Sequence, residues 1–407
     1  MKKNLENVPH YFFLILLSFI FSFLIGENST GGAIIDYNNQ KKLSQAFSND
    51  FLNTLNNYES FGTRHSPIVP MMLGALEYLL IPDKFLRLFH FVISLSLPIV
   101  IFKCLNLKYN FLNFQIKILI ISLIFLSPTF RSLSVWPDSR ILGLVFFVLS
   151  IYHFLQFQKN KEFKYAIFNT IFLSISAYLS PNFAVFSIFF FLKFLTILGI
   201  NKKIFFLIIL NLLLAYPAFN FIFIEKHNFL FSAKAITIEG SEDHQFNYFN
   251  KILLISSILF FYLIPFIYLK ILEVNFSIKD LIITFVIVSI SAYFFDYKST
   301  FSGGGIFFKL SNVLFNNNIL FFLLSFLSIY SIINIFKNNL FNFLIFFLLL
   351  ASNLQLSIYH KYYDPLFVIL IFTILSTQIN FEIMKKFKSQ LIILLYFSSF
   401  LIIGFIK

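Results

Sequence analysis

Residues 67–82 read PIVPMMLGALEYLLIP, and the topology of everything after them turns on whether this run crosses a bilayer. The run is apolar. It is also short, it carries prolines at 67, 70 and 82, and it holds Glu77. A crossing helix needs about 20 predominantly apolar residues. On either side of it lie apolar runs near 11–26, 85–102, 116–130, 139–157, 165–180, 182–199, 204–223, 251–270, 278–296, 313–336, 340–358, 362–379 and 389–406. Taken as helices, these predict an all-α polytopic transmembrane bundle of about 13 spans. With a cytoplasmic N-terminus and 67–82 lying along the outer interface, the inside connections are 103–117, 159–164, 202–203, 270–279, 337 and 385–388, and every one carries lysine. Were 67–82 to cross, all later loops would change side and the lysine bias would reverse. The positive-inside rule therefore favours an amphipathic or re-entrant helix there.

Composition agrees with a membrane chain. Of 407 residues, 58% are hydrophobic and 12% charged, with a mean hydropathy of +0.83. Soluble domains carry about 25% charged residues. The net charge of +13 comes from basic residues scattered between apolar runs, which is a membrane pattern and not a nucleic-acid surface. A single cysteine, Cys104, excludes an intramolecular disulfide and a cysteine-cluster metal site. The 64 phenylalanines and the lysine, asparagine and isoleucine excess resemble AT-biased coding, and no chemistry is read from them. The run at 11–26, with its Met1-Lys2-Lys3 start, reads as a signal-anchor, with Gly31-Gly32-Ala33 as the competing cleavage region. The chain reads as one integral-membrane domain over 1–407, without a separate soluble domain or an internal repeat.

The first outer loop, 27–84, is the longest on its side. Leu43, Phe47, Phe51 and Leu55 recur every four residues in it, predicting an interfacial helix over 40–55. Asp36 sits in GGAIIDYNNQ, just behind the first span. It reads either as a general base for an acceptor hydroxyl or as a solvated or capping carboxylate. Arg64 and His65 precede Ser66-Pro67 and suit either a lipid phosphate or headgroup anchoring. Arg131, Asp138 and Arg140 lie in FRSLSVWPDSR. Three of the four arginines (64, 131 and 140) thus fall on the outer side, against the lysine bias. Guanidinium forks grip phosphate bidentately, which gives one reason; local ion pairs such as Arg140–Asp138 give another. His360 and Lys361 open YHKYYDP and read as a phosphate clamp or as a polar helix end in an aromatic belt. Ser302-Gly303-Gly304-Gly305 lacks the Lys-Ser/Thr ending of a nucleotide loop. No histidine and glutamate spacing implies zinc, and no Ser-His-Asp motif is evident.

Together, Asp36 in GGAIIDYNNQ, His65-Ser66-Pro67 in RHSPIVPMMLGAL, and HKYYDPLF give a layout that resembles the GT-C superfamily of integral-membrane glycosyltransferases. That group includes protein O-mannosyltransferases, lipid A aminoarabinose transferases and the bacterial transferases of family 39. The likeness is tightest over 31–90 and 355–370. In the family the turn is more usually His-Pro-Pro, and the base often has an adjoining second acid. The resemblance implies sugar transfer, with inversion, from a polyprenyl-phosphate donor to a glycan, lipid or protein acceptor. The reaction would take place on the outer face of a bacterial inner membrane. It implies Asp36, with Asp138 next in line, as the base. It implies Arg64, His65, Arg131, Arg140, His360 and Lys361 as cations for the leaving lipid phosphate. It names no cofactor and leaves a divalent metal undecided. The competing reading from another class is a transporter or flippase of lipid-linked glycans. That predicts mid-span charges and a two-fold repeat, and Lys193 is the clearest mid-span charge.

Overall fold

Several of the described helices begin at a side-chain cap. The first backbone N–H groups of any helix lack intrahelical partners, and lipid supplies none. Asn113, Asn201, Asn247, Asn339, Ser127, Ser277 and Asp138 each accept a hydrogen bond from a first-turn N–H. The abundant asparagine thus has a structural use: it starts helices without adding charge.

The computed structural model describes residues 8–63, 65–225, 227, 247–298, 303–353 and 357–406. The described residues are helix and connection, apart from one isolated bridge between Leu272 and Ile379. The helices are α1 (Val8–Ile25), α2 (Ala33–Asn49), α3 (Phe51–Asn56), α4 (Ile68–Tyr78), α5 (Asp83–Ser94), α6 (Ser96–Lys108), α7 (Phe114–Phe125), α8 (Pro128–Val135), α9 (Ser139–Asn160), α10 (Phe163–Leu179), α11 (Ser187–Leu198), α12 (Lys202–Phe219), α13 (Tyr248–Tyr268), α14 (Ile278–Tyr293), α15 (Gly305–Phe315), α16 (Ile319–Phe336), α17 (Leu340–Ser352), α18 (Leu366–Phe372), α19 (Phe381–Met384) and α20 (Phe387–Ile406). Among the described residues, seven helices are long and apolar enough to cross a membrane, or eight if the α7–α8 pair, bent by 63°, is one span. The architecture is an all-helical membrane protein.

The finer count of about 13 is not reached by length, and the shortfalls have local causes. Expected span 362–379 contains only α18, seven residues and all of them buried. At 1.5 Å per residue that is about 10 Å, far short of a bilayer core. Expected span 313–336 is split at Asn316, which takes a left-handed φ of 51° and ends α15. The bend between α7 and α8 falls where Ser127 caps a new helix with Pro128 in its first turn.

The chain divides into two compact units. One comprises Pro9–Glu242 with Phe400–Lys407, the other Asp243–Ser399 with Met1–Val8.

In the first unit, the run at 67–82 forms α4, whose 11 residues rise about 16 Å and are too few to span. It packs on α2 at Gly74. A Cβ there would lie 2.7 Å from the Ser44 carbonyl oxygen and 3.0 Å from Phe47 Cβ. Ser44 Oγ also donates to Glu77 Oε1 at 2.9 Å, which gives that carboxylate its partner. The single helix expected over 40–55 is broken at Asp50, whose side chain caps α3. The stripe changes role there. Leu43 and Phe47 bury against Tyr58 inside the protein, whereas Phe51 is exposed.

In the second unit, α13 is largely enclosed, with Leu253, Leu254, Ile255, Leu259 and Tyr262 fully buried. The link after it meets the 376–380 segment through the Leu272–Ile379 bridge and the Asn380 N–H to Ile271 carbonyl bond of 2.9 Å.

Candidate functional site

Helix α2 carries the first polar face. Asp36 lies in its first turn, and its N–H donates to the Gly32 carbonyl at 3.0 Å. Residues four apart share a helix face, so Asp36 and Gln40 lie one above the other. Gln40 is fully buried, and its Nε2 reaches Asp138 Oδ2 at 3.5 Å. The other Asp138 oxygen accepts the Arg140 N–H at 2.7 Å and so caps α9. Gln40 thus touches Asp138, while Asp36 lies one turn away on the same face of α2.

The adjacent face of α2 meets α5. Tyr37 O–H donates to Asp83 Oδ1, and Lys41 Nζ lies 2.7 Å from the same oxygen. Burial, helped by the Asp83 hydrogen bond, pushes the Tyr37 phenol well above its ordinary value, so Tyr37 stays a donor. The Arg87 guanidinium carbon lies 3.7 Å from the centroid of the Trp136 ring, and its Nε donates to the Val135 carbonyl at 3.2 Å. His90 Nε2–H donates to the Leu133 carbonyl at 2.8 Å, since a carbonyl only accepts.

Arg131 is enclosed. Its Nε donates to both Glu27 oxygens at 2.9 Å, and its Nη2 lies 2.7 Å from Glu27 Oε2. The guanidinium also donates to Ser18 Oγ at 3.1 Å and to the Ser18 carbonyl at 2.9 Å. The side chains of Arg131 and Glu27 are 4% and 0% exposed. Ser29 Oγ donates to Glu27 Oε1 at 2.7 Å, and Trp136 Nε1 donates to the Glu27 carbonyl at 3.0 Å. The structure thus gives Arg131 to the junction of α1, α8 and the start of the loop after α1. His65 is half-buried, and its carbonyl accepts Tyr58 O–H at 2.9 Å. Arg64 lies outside the described residues.

The second unit holds its own polar group. His360 Nδ1 lies 3.2 Å from the Tyr262 hydroxyl, and Tyr262 is hydrogen-bonded to Asp364. Tyr262 is 0% and Asp364 5% exposed. His360 and Lys361 are half-buried in a 3-10 turn, His360–Tyr362. The glycine turn packs on this segment. The Gly304 N–H donates to the Ile358 carbonyl at 2.8 Å, and Gly303, at φ +101°, leaves no room for a Cβ, which would lie 2.5 Å from that oxygen. The Ile358 N–H donates to the Tyr297 hydroxyl oxygen at 3.4 Å, and burial pushes the Tyr297 phenol up to about 12.

Of the eight residues singled out beforehand, Asp36, His65, Arg131, Asp138 and Arg140 fall in the first unit and His360 and Lys361 in the second; Arg64 is not among the described residues. The partners Glu27, Tyr37, Gln40, Asp83, His90 and Tyr262 were not read from the sequence. Only Glu27 carried a signal, as an acid directly behind an apolar run. Among the described residues no group of three or more His, Cys, Asp or Glu side chains is placed to hold a metal ion. Comparison with protein-family models, with curated proteins and with solved structures returns no match for this chain.

Proposed function

We propose that this chain is a membrane glycosyltransferase that moves a sugar from a polyprenyl-phosphate-linked donor to a cell-envelope glycan, lipid or protein acceptor, on the outer face of a bacterial inner membrane. The observation that carries the reading is the α2 face. Directly after the first apolar helix it presents Asp36 above Gln40, and Gln40 reaches Asp138.

In this reading Asp36 accepts the acceptor hydroxyl proton as that oxygen bonds to the anomeric carbon. The bond from that carbon to the phosphate oxygen breaks, and its electron pair leaves with the polyprenyl phosphate. The growing phosphate charge needs cations. Arg131 is committed to Glu27, so within the first unit this role goes to Arg140, His65 and Arg64. Asp138 fixes Gln40 and caps α9, which keeps the Asp36 face in register. His360 and Lys361 form a phosphate contact of their own in the second unit. The apolar helix faces supply a surface for a polyprenyl chain.

The test is purified protein in proteoliposomes supplied with a panel of polyprenyl-phosphate sugars and mixed envelope acceptors. The proposal expects release of polyprenyl phosphate with at least one donor. Movement of an intact lipid-linked glycan across the bilayer, without release, would overturn it in favour of a flippase.

A further inference from the structure

Arg87 takes no part in the transfer reading, and its contacts leave one edge of it open. The guanidinium carbon lies 3.7 Å from the centroid of the Trp136 ring, so the indole covers one face of the fork. Phe23 of α1 lies farther off, at 5.7 Å. Nε donates to the Val135 carbonyl at 3.2 Å. Among the described residues, Nη1 and Nη2 make no hydrogen bond and no ion pair. The residue is only half-buried, and neither of these nitrogens is closed off from the surface. Space is also open beside Nη2. Apart from the neighbours of Gly26 in the chain, only Trp136 Cζ2 (3.4 Å) and Nη2 itself (4.0 Å) come within 4 Å of where a Gly26 Cβ would stand.

The missing partner has a local cause. Asp83 stands one turn before Arg87 on α5, the spacing at which Asp and Arg ordinarily pair. Here Asp83 Oδ1 is taken from α2: Tyr37 O–H donates to it, and Lys41 Nζ lies 2.7 Å away. Lys41 thus offsets the Asp83 charge, and the Arg87 charge is left over.

The place of Arg87 along its helix says what an anion there would belong to. The stretch Asp83–Lys108, α5 with α6, is long and apolar enough to cross a membrane. Arg87 is one turn, about 6 Å, from its start, nearer the headgroups than the midplane of a bilayer. The helix faces beside it in sequence are apolar and exposed: Leu24 and Ile25 of α1, and Phe85, Leu88 and Phe89 of α5. A pre-set guanidinium fork grips phosphate oxygens bidentately, and the apolar faces suit acyl chains.

We propose that Arg87, held flat on Trp136, is the phosphate contact of a bilayer-lipid site that takes an anionic phospholipid. The proposal is independent of the glycosyl-transfer reading, which is tested by polyprenyl phosphate release.

The test uses Trp136, the only tryptophan of the chain, as a probe already at the site. Full-length protein in micelles is titrated with phosphatidylglycerol brominated on its acyl chains, and bromine quenching of Trp136 is followed. The expected result is saturable quenching. Brominated diacylglycerol, which lacks the phosphate, should need on the order of tenfold more lipid, the size of a charge-assisted hydrogen bond. Arg87→Gln should weaken the phosphatidylglycerol curve by about the same factor and leave the diacylglycerol curve in place. Arg87→Lys keeps the charge without the fork and should fall between the two. Equal curves for the two lipids, or a phosphatidylglycerol curve unmoved by Arg87→Gln, overturn the proposal. Two competition arms separate the sources of phosphate. Displacement of the brominated lipid by inorganic phosphate as readily as by unbrominated phosphatidylglycerol would make this a free-anion site and overturn it. Displacement by polyprenyl phosphate at far lower concentration than by phosphatidylglycerol would assign the site to a polyprenyl lipid and overturn it as well.

Discussion

The buried pair Glu27–Arg131 gives a prediction whose size follows from its surroundings. The two side chains are 0% and 4% exposed, and they are separated by 2.7 Å. Five further hydrogen bonds, from Arg131 to Glu27 and Ser18 and from Ser29 to Glu27, satisfy the remaining charge. Removing one partner leaves the other as an uncompensated buried ion, which costs about 3–5 kcal/mol. Glu27→Gln and Arg131→Met should each lose stability on that scale. The double variant leaves no buried ion, so it should lose less than either single change, with a coupling of about 2 kcal/mol or more. The assay is equilibrium unfolding in mixed micelles of rising denaturing-detergent content. Trp136 is the only tryptophan and donates to the Glu27 carbonyl, so its fluorescence reports on this junction. Costs that add to within about 0.5 kcal/mol would refute the argument, because independent sites behave that way.

Three other outcomes follow from contacts already given. Gly74→Val puts a branched side chain where a Cβ alone would sit 2.7 Å from the Ser44 oxygen, so α2 and α4 must separate. The same unfolding assay should show a loss of about 1–3 kcal/mol, and limited proteolysis should cut the first loop sooner. Gly303→Ala meets both a positive φ and the Ile358 oxygen, and should cost about 1–3 kcal/mol in the same unfolding assay. Lys41→Ala should cost no more than about 1 kcal/mol in unfolding, because the Lys41–Asp83 pair is more than a third exposed on both sides.

Much of the layout was legible because it depends on local pattern. The apolar runs, the lysine-bearing links and the short proline-punctuated segment at 67–82 all follow from side-chain solubility along one stretch. What was hidden depends on pairing over distance. Arg131 looked like a spare cation in its own neighbourhood; its partner Glu27 lies 104 positions earlier. Likewise Gln40 carries no charge and gave no signal until Asp138 was seen beside it. Two span assignments went astray through polar residues set inside apolar runs. Asn316-Asn317-Asn318 ends one helix before another starts, and Thr373, Ser376 and Thr377 follow a helix of only seven residues. The stripe at 43–55 was read on period alone, but Asp50 accepts the Asn53 N–H and restarts the helix, turning Phe51 outward. His360 was singled out for its charge, whereas its contact with the Tyr262 hydroxyl, 98 positions earlier, gave no signal.

The central claim is that the carboxylate on α2 serves sugar transfer. The most direct measurement compares the unmodified protein with Asp36→Asn in a membrane-fraction assay of polyprenyl phosphate release, with the unfolding curves of both recorded alongside. The account predicts a fall of about 10²-fold or more in turnover, the contribution typical of a general base, with unfolding unchanged. Turnover equal to that of the unmodified protein would contradict it.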